Sequence, residues 1–174
     1  MSTAPALPSL RASWGGRVSD DDALAQQTAL WGGDQQYLLL CEHPPVYTMG
    51  VRTDPANILA DDLTALGAEV HRVTRGGDVT WHGPGQLVGY PLVSAPTRRG
   101  GGMADTVAYV RSVEQLLIDA LGDLGVRAGR RDRCPGVWMG DDTSGLRKVA
   151  AVGVRLRRGR AMHGFALNID PDLS

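Results

Sequence analysis

Lysine is nearly absent from this chain: of 18 basic residues, Lys148 alone is a lysine and the others are arginines. Phenylalanine is equally scarce, with Phe165 the single example. Two cysteines, Cys41 and Cys134, are too few for a disulfide framework, so a reducing cytoplasm is the expected setting. No apolar run approaches the roughly 20 residues of a membrane span, so no membrane partner is expected. An excess of one charge is lacking too. The 18 basic residues stand against 19 acidic ones, which excludes the broad basic surface of a nucleic-acid binder. The opening MSTAPALPSLRASWGG lacks the charged start and apolar core of a signal peptide and reads as a short flexible lead-in. What is present is 174 residues, enough for one domain with its own core.

Ser19 followed by Asp22 has the pattern of a capping box, so DDALAQQTAL is expected as a helix stopped by Gly32 and Gly33. The apolar run Tyr37 to Cys41 predicts a buried strand, and extended structure resumes at Val46-Tyr47-Thr48 after the break at Pro44-Pro45. A short helix over 61–66 and a strand over 70–74 follow. Asp105 or Thr106 can cap a longer helix with Val107, Val110, Glu114, Leu117 and Leu121 on one face. Val137 to Met139, Lys148 to Leu156 and Phe165 to Ile169 are the later strands. Strands and helices mix without a strict repeat. This predicts an α/β fold, a mixed sheet with helices packed on it, as a single domain over 1–174.

The segment Arg75 to Pro91, RGGDVTWHGPGQLVGYP, concentrates glycine beside Arg75, Asp78, Thr80, His82 and Gln86. Glycine lets backbone approach a ligand closely and costs entropy to order, so this composition points to a pocket anchored on the strand LVGYPL. A nucleotide cradle is excluded, because the segment lacks a GK[ST] ending and its glycines do not open a helix in GxGxxG spacing. Lys148 is the second clue. A chain so committed to arginine would supply arginine wherever a fixed positive charge suffices, and arginine cannot give up its proton. A lysine at the head of KVAAVGVRL, on a strand expected to be buried and beside Arg147, is therefore read as a general base. The plainer reading, a surface lysine at a strand edge, stays open here.

Four ordered segments then carry a resemblance: Glu42 to Gly50 (EHPPVYTMG), Arg75 to Gln86 with Tyr90-Pro91, Gly136-Val137-Trp138 followed by Lys148 to Arg155, and His163 to Asn168 (HGFALN). Together they resemble the lipoyl(octanoyl) transferases. The resemblance implies a fold similar to the catalytic domain of biotin and lipoate protein ligases. It implies movement of an octanoyl group from octanoyl-acyl carrier protein, through a cysteine thioester, to a lysine of a lipoyl domain. Those domains belong to 2-oxoacid dehydrogenases and the glycine cleavage H protein. Neither metal nor nucleotide cofactor is implied.

The family's catalytic lysine falls on Lys148. Substrate-binding positions fall on Arg75, Gly76, Gly77, Asp78, Val79, Thr80, Trp81 and His82, on Ala151, Val152 and Gly153, and on Gly164, Phe165 and Ala166. Trp81 and Phe165 are expected as an apolar wall for the acyl chain, and Gly76, Gly77, Gly83 and Gly85 as the lining of a narrow tunnel. Backbone N–H groups there and near Gly153 and Gly164 would hold the thioester oxygen.

The family's cysteine lies downstream of the HG-ALN strand and has no counterpart before Ser174. The expectation is a C-terminally truncated piece, inactive alone. Cys41 reads as core. Cys134 sits among Arg130, Arg131 and Arg133, a setting that favours a reactive thiol, although the family has no nucleophile there. Arg75 and Asp78 are expected to pair, and His82 to act as an orienting or structural group. The four histidines, His43, His71, His82 and His163, show no ligand spacing for a metal. Arg155, Arg157, Arg158 and Arg160 form a basic strip suited to an acidic carrier protein. Two rivals remain: an ATP-dependent lipoate-protein ligase of the same fold, and a non-catalytic acyl- or lipoyl-domain-binding remnant.

Overall fold

The computed structural model describes residues 9–58, 67–97, 104–141 and 145–172. Its first element corrects the flexible lead-in from Leu10 on; residues 1–8 of that lead-in lie outside the described residues. Leu10–Arg17 is a strand, β1, paired parallel to β2 (Gln36–Glu42). Nearly every residue of β1 is exposed, so it shows no alternation of apolar and polar positions for a sequence pattern to catch. Between them runs α1 (Asp20–Trp31), capped by Ser19: its Oγ accepts from the Asp22 N–H at 3.1 Å and donates to the Asp22 carboxylate at 2.8 Å, so the carboxylate of the expected box meets the hydroxyl. Gly32 closes it.

A small sheet follows in the order β4 (Glu69–Arg72), β3 (Val46–Met49), β5 (Val79–His82). The segment from Arg75 is thus not one long loop. VTWH is a strand antiparallel to β3, and the irregular parts narrow to residues 73–78 and the turn at 83–85. The main sheet continues with β6 (Gln86–Leu92), β7 (Gly129–Arg131), β8 (Cys134–Met139), β9 (Arg147–Arg157) and β10 (Arg160–Asn168). Its spatial order is β1-β2-β6-β10-β9-β8-β7, antiparallel everywhere except the β1–β2 edge. The helix expected at 61–66 lies outside the described residues.

The second helix, α2 (Thr106–Asp123), is capped by Asp105, whose carboxylate accepts from the Ala108 N–H at 3.0 Å. Its buried stripe is Tyr109, Val113, Glu114, Leu117 and Leu121. Of the expected face Val107 alone fails, at 71% exposed; Val110 is half-buried against the core, and Tyr109 and Val113 widen the stripe. Tyr109, Val113, Leu117 and Leu121 pack on Val137, Ala150, Ala161, Phe165 and Leu167. Ala23 of α1 packs with Leu39, Cys41, Val88, Tyr90, Met162 and Ala166. The two clusters take alternate residues of β10, so the helices cover opposite faces of one sheet. Among the described residues no helix is long and apolar enough to cross a membrane.

Candidate active site

A cavity of about 540 Å³ opens where the glycine loop, β9, β10 and the first turns of α2 meet. Of the residues read from sequence, the loop contributes Arg75, Gly76, Gly77 and Asp78, and β5 contributes Val79, Thr80 and His82. Lys148, Ala151, Val152 and Gly153 of β9 and Gly164, Phe165 and Ala166 of β10 also line it. Trp81 does not. It alternates away from Thr80 and His82 along β5, and its indole lies over Gly83. Gly83 and Gly85 are likewise packing positions: Gly85 sits against Asp170, and its carbonyl accepts from the N–H groups of Ile169 and Asp170. The apolar wall is therefore Phe165 without Trp81.

Arg75 is buried, 7% exposed, and organises the loop. The expected pairing with the Asp78 carboxylate is not formed. Arg75 donates instead to the carbonyls of Asp78 (2.8 Å), Gly76 (3.2 Å) and Thr48 (2.7 Å) and to the Thr48 hydroxyl (2.8 Å). Asp78 accepts from the Val79 N–H and from Asn57. Burial pulls the Arg75 guanidinium below its ordinary range. Gly153 makes room for it, since a Cβ there would stand 2.9 Å from Arg75 Cδ. The Gly76 N–H is already spent on the Val154 carbonyl at 2.9 Å, so it cannot also receive a substrate oxyanion.

The floor is a chain of buried polar groups. Gln86 gives its amide hydrogens to Trp81 O and Asn168 Oδ1, so its oxygen accepts from His82 Nδ1 at 2.7 Å. His82 Nε2 then faces the Thr48 hydroxyl at 3.1 Å as an acceptor. Burial pushes His82 down to about 4, and it does the same to His163, which lies against Thr74. His43 donates from Nδ1 to the Val18 carbonyl and accepts the Tyr90 hydroxyl at 2.7 Å. Cys41, beside His43, is 4% exposed, and burial raises its thiol to about 12, which suits a core residue.

Lys148 is exposed, as the plainer reading of a surface lysine at a strand edge has it and not as a buried base, although it lines the cavity. It stands at the open end of β9, its Nζ 4.9 Å from the Trp138 ring centroid. Cys134 lines the same cavity, half-buried, but two of its three arginine neighbours are engaged elsewhere. Arg130 bonds Glu114 at 3.1 Å, and Arg131 lies over Trp138. Glu114, 1% exposed, also receives Arg111 at 3.0 Å and the Gly136 N–H at 2.8 Å, which ties α2 to the wall carrying Cys134. The basic strip divides as well. Arg155 and Arg160 turn onto Thr74 and onto the Gln35 and Leu92 carbonyls, leaving Arg157 and Arg158 exposed on the β9–β10 hairpin.

The family signature of the lipoyl protein ligase A/B catalytic domain matches residues 19–174. The chain belongs to that family. An octanoyltransferase of Salinispora tropica is 51% identical over 138 residues, covering 79% of this chain and 60% of the relative. One from Solibacter usitatus is 45% identical over 166 residues, covering 91% and 71%. The chain thus spans about three fifths of the Salinispora relative. Among solved structures, the bipartite lipoate protein ligase of Thermoplasma acidophilum superposes with a TM-score of 0.75 at 18% identity, over 96% of this chain and 64% of that one. A lipoate-protein ligase A bound with ATP gives 0.73 at 19%, over 95% and 68%. These two share the fold.

Within this member of the ligase A/B family, four features of the site escaped the sequence reading. Asp20, Thr48, Tyr90 and the carboxylate of Glu114 come to the cavity from elements far apart in the chain. Thr48 and Tyr90 lie in segments that carry the family resemblance and Glu114 is an acid on an otherwise apolar helix face, but spacing did not place any of them at the cavity. Nor did spacing show that Asp20, Asp21 and His71 meet, their ligand-type atoms within 4.8 Å of one another. Here α1 and β4 surround one imidazole with carboxylates, Glu69 completing the group at 3.0 Å. Burial opposes a proton on His71. Its hydrogen bond to Asp20 and the nearby acid charges outweigh that and hold it above its usual range.

Proposed function

We propose that this domain transfers an octanoyl group from the thioester of an acyl carrier protein to a lysine of lipoyl domains, as a cytoplasmic enzyme of protein lipoylation. One coincidence supports the reading most. The chain's single lysine lines the cavity built by the glycine loop, in a family whose relatives include octanoyltransferases. On this reading Lys148 takes the proton of a cysteine thiol, the sulfur attacks the octanoyl carbonyl, and Lys148 gives that proton to the carrier's thiolate as its C–S bond breaks. The neutral amine of the target lysine then attacks the new thioester and passes a proton to Lys148, which returns it to the cysteine thiolate as the enzyme's C–S bond breaks. The acyl chain would lie along Phe165, Val152 and Ala151. The acyl-bearing cysteine on this reading is the one that the family resemblance puts downstream of the HGFALN strand. No step requires a metal or a nucleotide.

Intact-protein mass spectrometry after incubation with octanoyl-acyl carrier protein tests this, with the 174-residue chain beside a version extended to the length of its relatives. The expected result is one octanoyl adduct on the extended protein alone. An adduct on the short chain would move the nucleophile to Cys134 or Cys41. An adduct on neither would overturn the transferase reading, and acyl-adenylate formed from ATP would favour a ligase.

A further inference from the structure

We propose that Trp138 is a positioning residue for Lys148, its indole face holding the ammonium that Lys148 becomes when it takes a proton. The inference rests on the reading of Lys148 as proton acceptor given above. Its geometric basis is a register shift. Val137 pairs with Ala150, yet Trp138 pairs with Lys148, so one extra β9 residue, Val149, is accommodated between them. In a regular antiparallel ladder Trp138 would face Val149. The bulge re-aims the lysine onto the ring, a use of bulges common beside functional sites.

Two further contacts hold the arrangement. The indole N–H donates to the Cys134 carbonyl at 3.0 Å, which fixes the ring plane to the cavity wall. On the same strand Gly136 adopts φ +117°, and a Cβ there would stand 3.4 Å from Lys148 Cε and 3.5 Å from Cδ. The lysine stem therefore runs beside Gly136 with its amine at the indole. The Nζ-to-centroid distance of 4.9 Å is inside the range of a cation–π contact. An aromatic face attracts an ammonium and not a neutral amine. When Lys148 takes a proton from a thiol, the S–H bond breaks, its pair stays on sulfur and an N–H bond forms. The ring offsets the charge gained. Arg131, whose Cζ is 5.6 Å from the same ring, shares this surface. At an exposed site such a contact changes an equilibrium or rate by about two- to fivefold.

Because Lys148 is the only lysine, reductive methylation with labelled formaldehyde gives one side-chain signal apart from the N-terminal amine. In the wild-type chain that signal is expected upfield of free methylated lysine, shifted by the ring current. It moves to the free position in Trp138→Leu and stays displaced in Trp138→Phe. A wild-type signal at the free position, or one unmoved by Trp138→Leu, would overturn the proposal, and the wild-type spectrum decides even if a variant does not fold. In the extended protein, Trp138→Leu is expected to lower transfer at saturating donor about two- to fivefold with KM unchanged, and Trp138→Phe to restore most of it. A changed KM with an unchanged rate would also overturn it. Failure of the transferase reading looks different: the wild type transfers nothing, while the displaced lysine signal remains.

Discussion

Acidification from about pH 7 to about pH 5 should remove roughly 4 kcal/mol of stability through two buried imidazoles. His82 and His163 are 8% and 5% exposed, and burial lowers each to about 4 in the folded protein. Unfolded, each returns to about 6.5, so below that pH the unfolded chain binds protons that the native state refuses. Stability from both is complete above about pH 6.5 and is lost as pH falls toward the folded value, at about 2 kcal/mol per imidazole by pH 5. His71 acts with the opposite sign. Its folded pKa is raised, so its contribution is present below about pH 6.5 and fades as pH climbs through the raised value. Stability is thus expected to peak in the neutral range and to fall on both sides.

Urea midpoints measured across this range, with a constant slope, read the effect directly. His163 occupies left-handed backbone at φ +57°, which asparagine tolerates, so His163→Asn removes one titration without forcing the chain. That variant should lose about half as much stability between pH 7 and pH 5. His71→Gln should flatten the alkaline side only. Stability unchanged between those pH values, or an undiminished acid loss in His163→Asn, would refute the reasoning. Carboxylates interfere little, because most keep their charge at pH 5.

Lys148→Arg in the extended protein should abolish acyl transfer with an unchanged melting curve, since arginine keeps the charge but cannot act as a base; wild-type rates would remove Lys148 from the mechanism. Glu114→Ala should cost about 1–3 kcal/mol in chemical denaturation. It orphans the buried Gly136 N–H, while Arg111 and Arg130, both partly exposed, can regain water. Gly89→Ala should destabilise by about 1–3 kcal/mol and distort the cavity wall, because a Cβ at that position would fall within the Phe165 ring; an unchanged melting temperature would contradict the packing described.

Local signals determined what local physics governs. Ser19 and Asp105 cap the helices because their side-chain oxygens meet N–H groups three residues on, a relation that needs no tertiary contact. The runs at Tyr37, Val137, Lys148 and Phe165 became strands because each carries apolar residues the sheet buries: Leu39 and Cys41, Val137, Ala150 and Val154, Phe165 and Leu167. The ordered motifs, with the lone lysine among them, pointed to the family before any fold was in view.

Tertiary structure decided what depends on partners distant in the chain. β1 is a strand only because β2 offers an edge, so its exposed residues left no pattern to read. The α2 stripe took in Tyr109, and could bury Glu114, because they found the Pro91 carbonyl and the Gly136 N–H across the sheet. Lys148 is exposed because its strand begins at the sheet's open end, and it meets Trp138 because the ladder slips by one residue there. Arg75 turned from Asp78 to carbonyls because the β3–β5 pairing brings Thr48 beside it, burying the guanidinium among oxygens that spacing along the chain could not reveal.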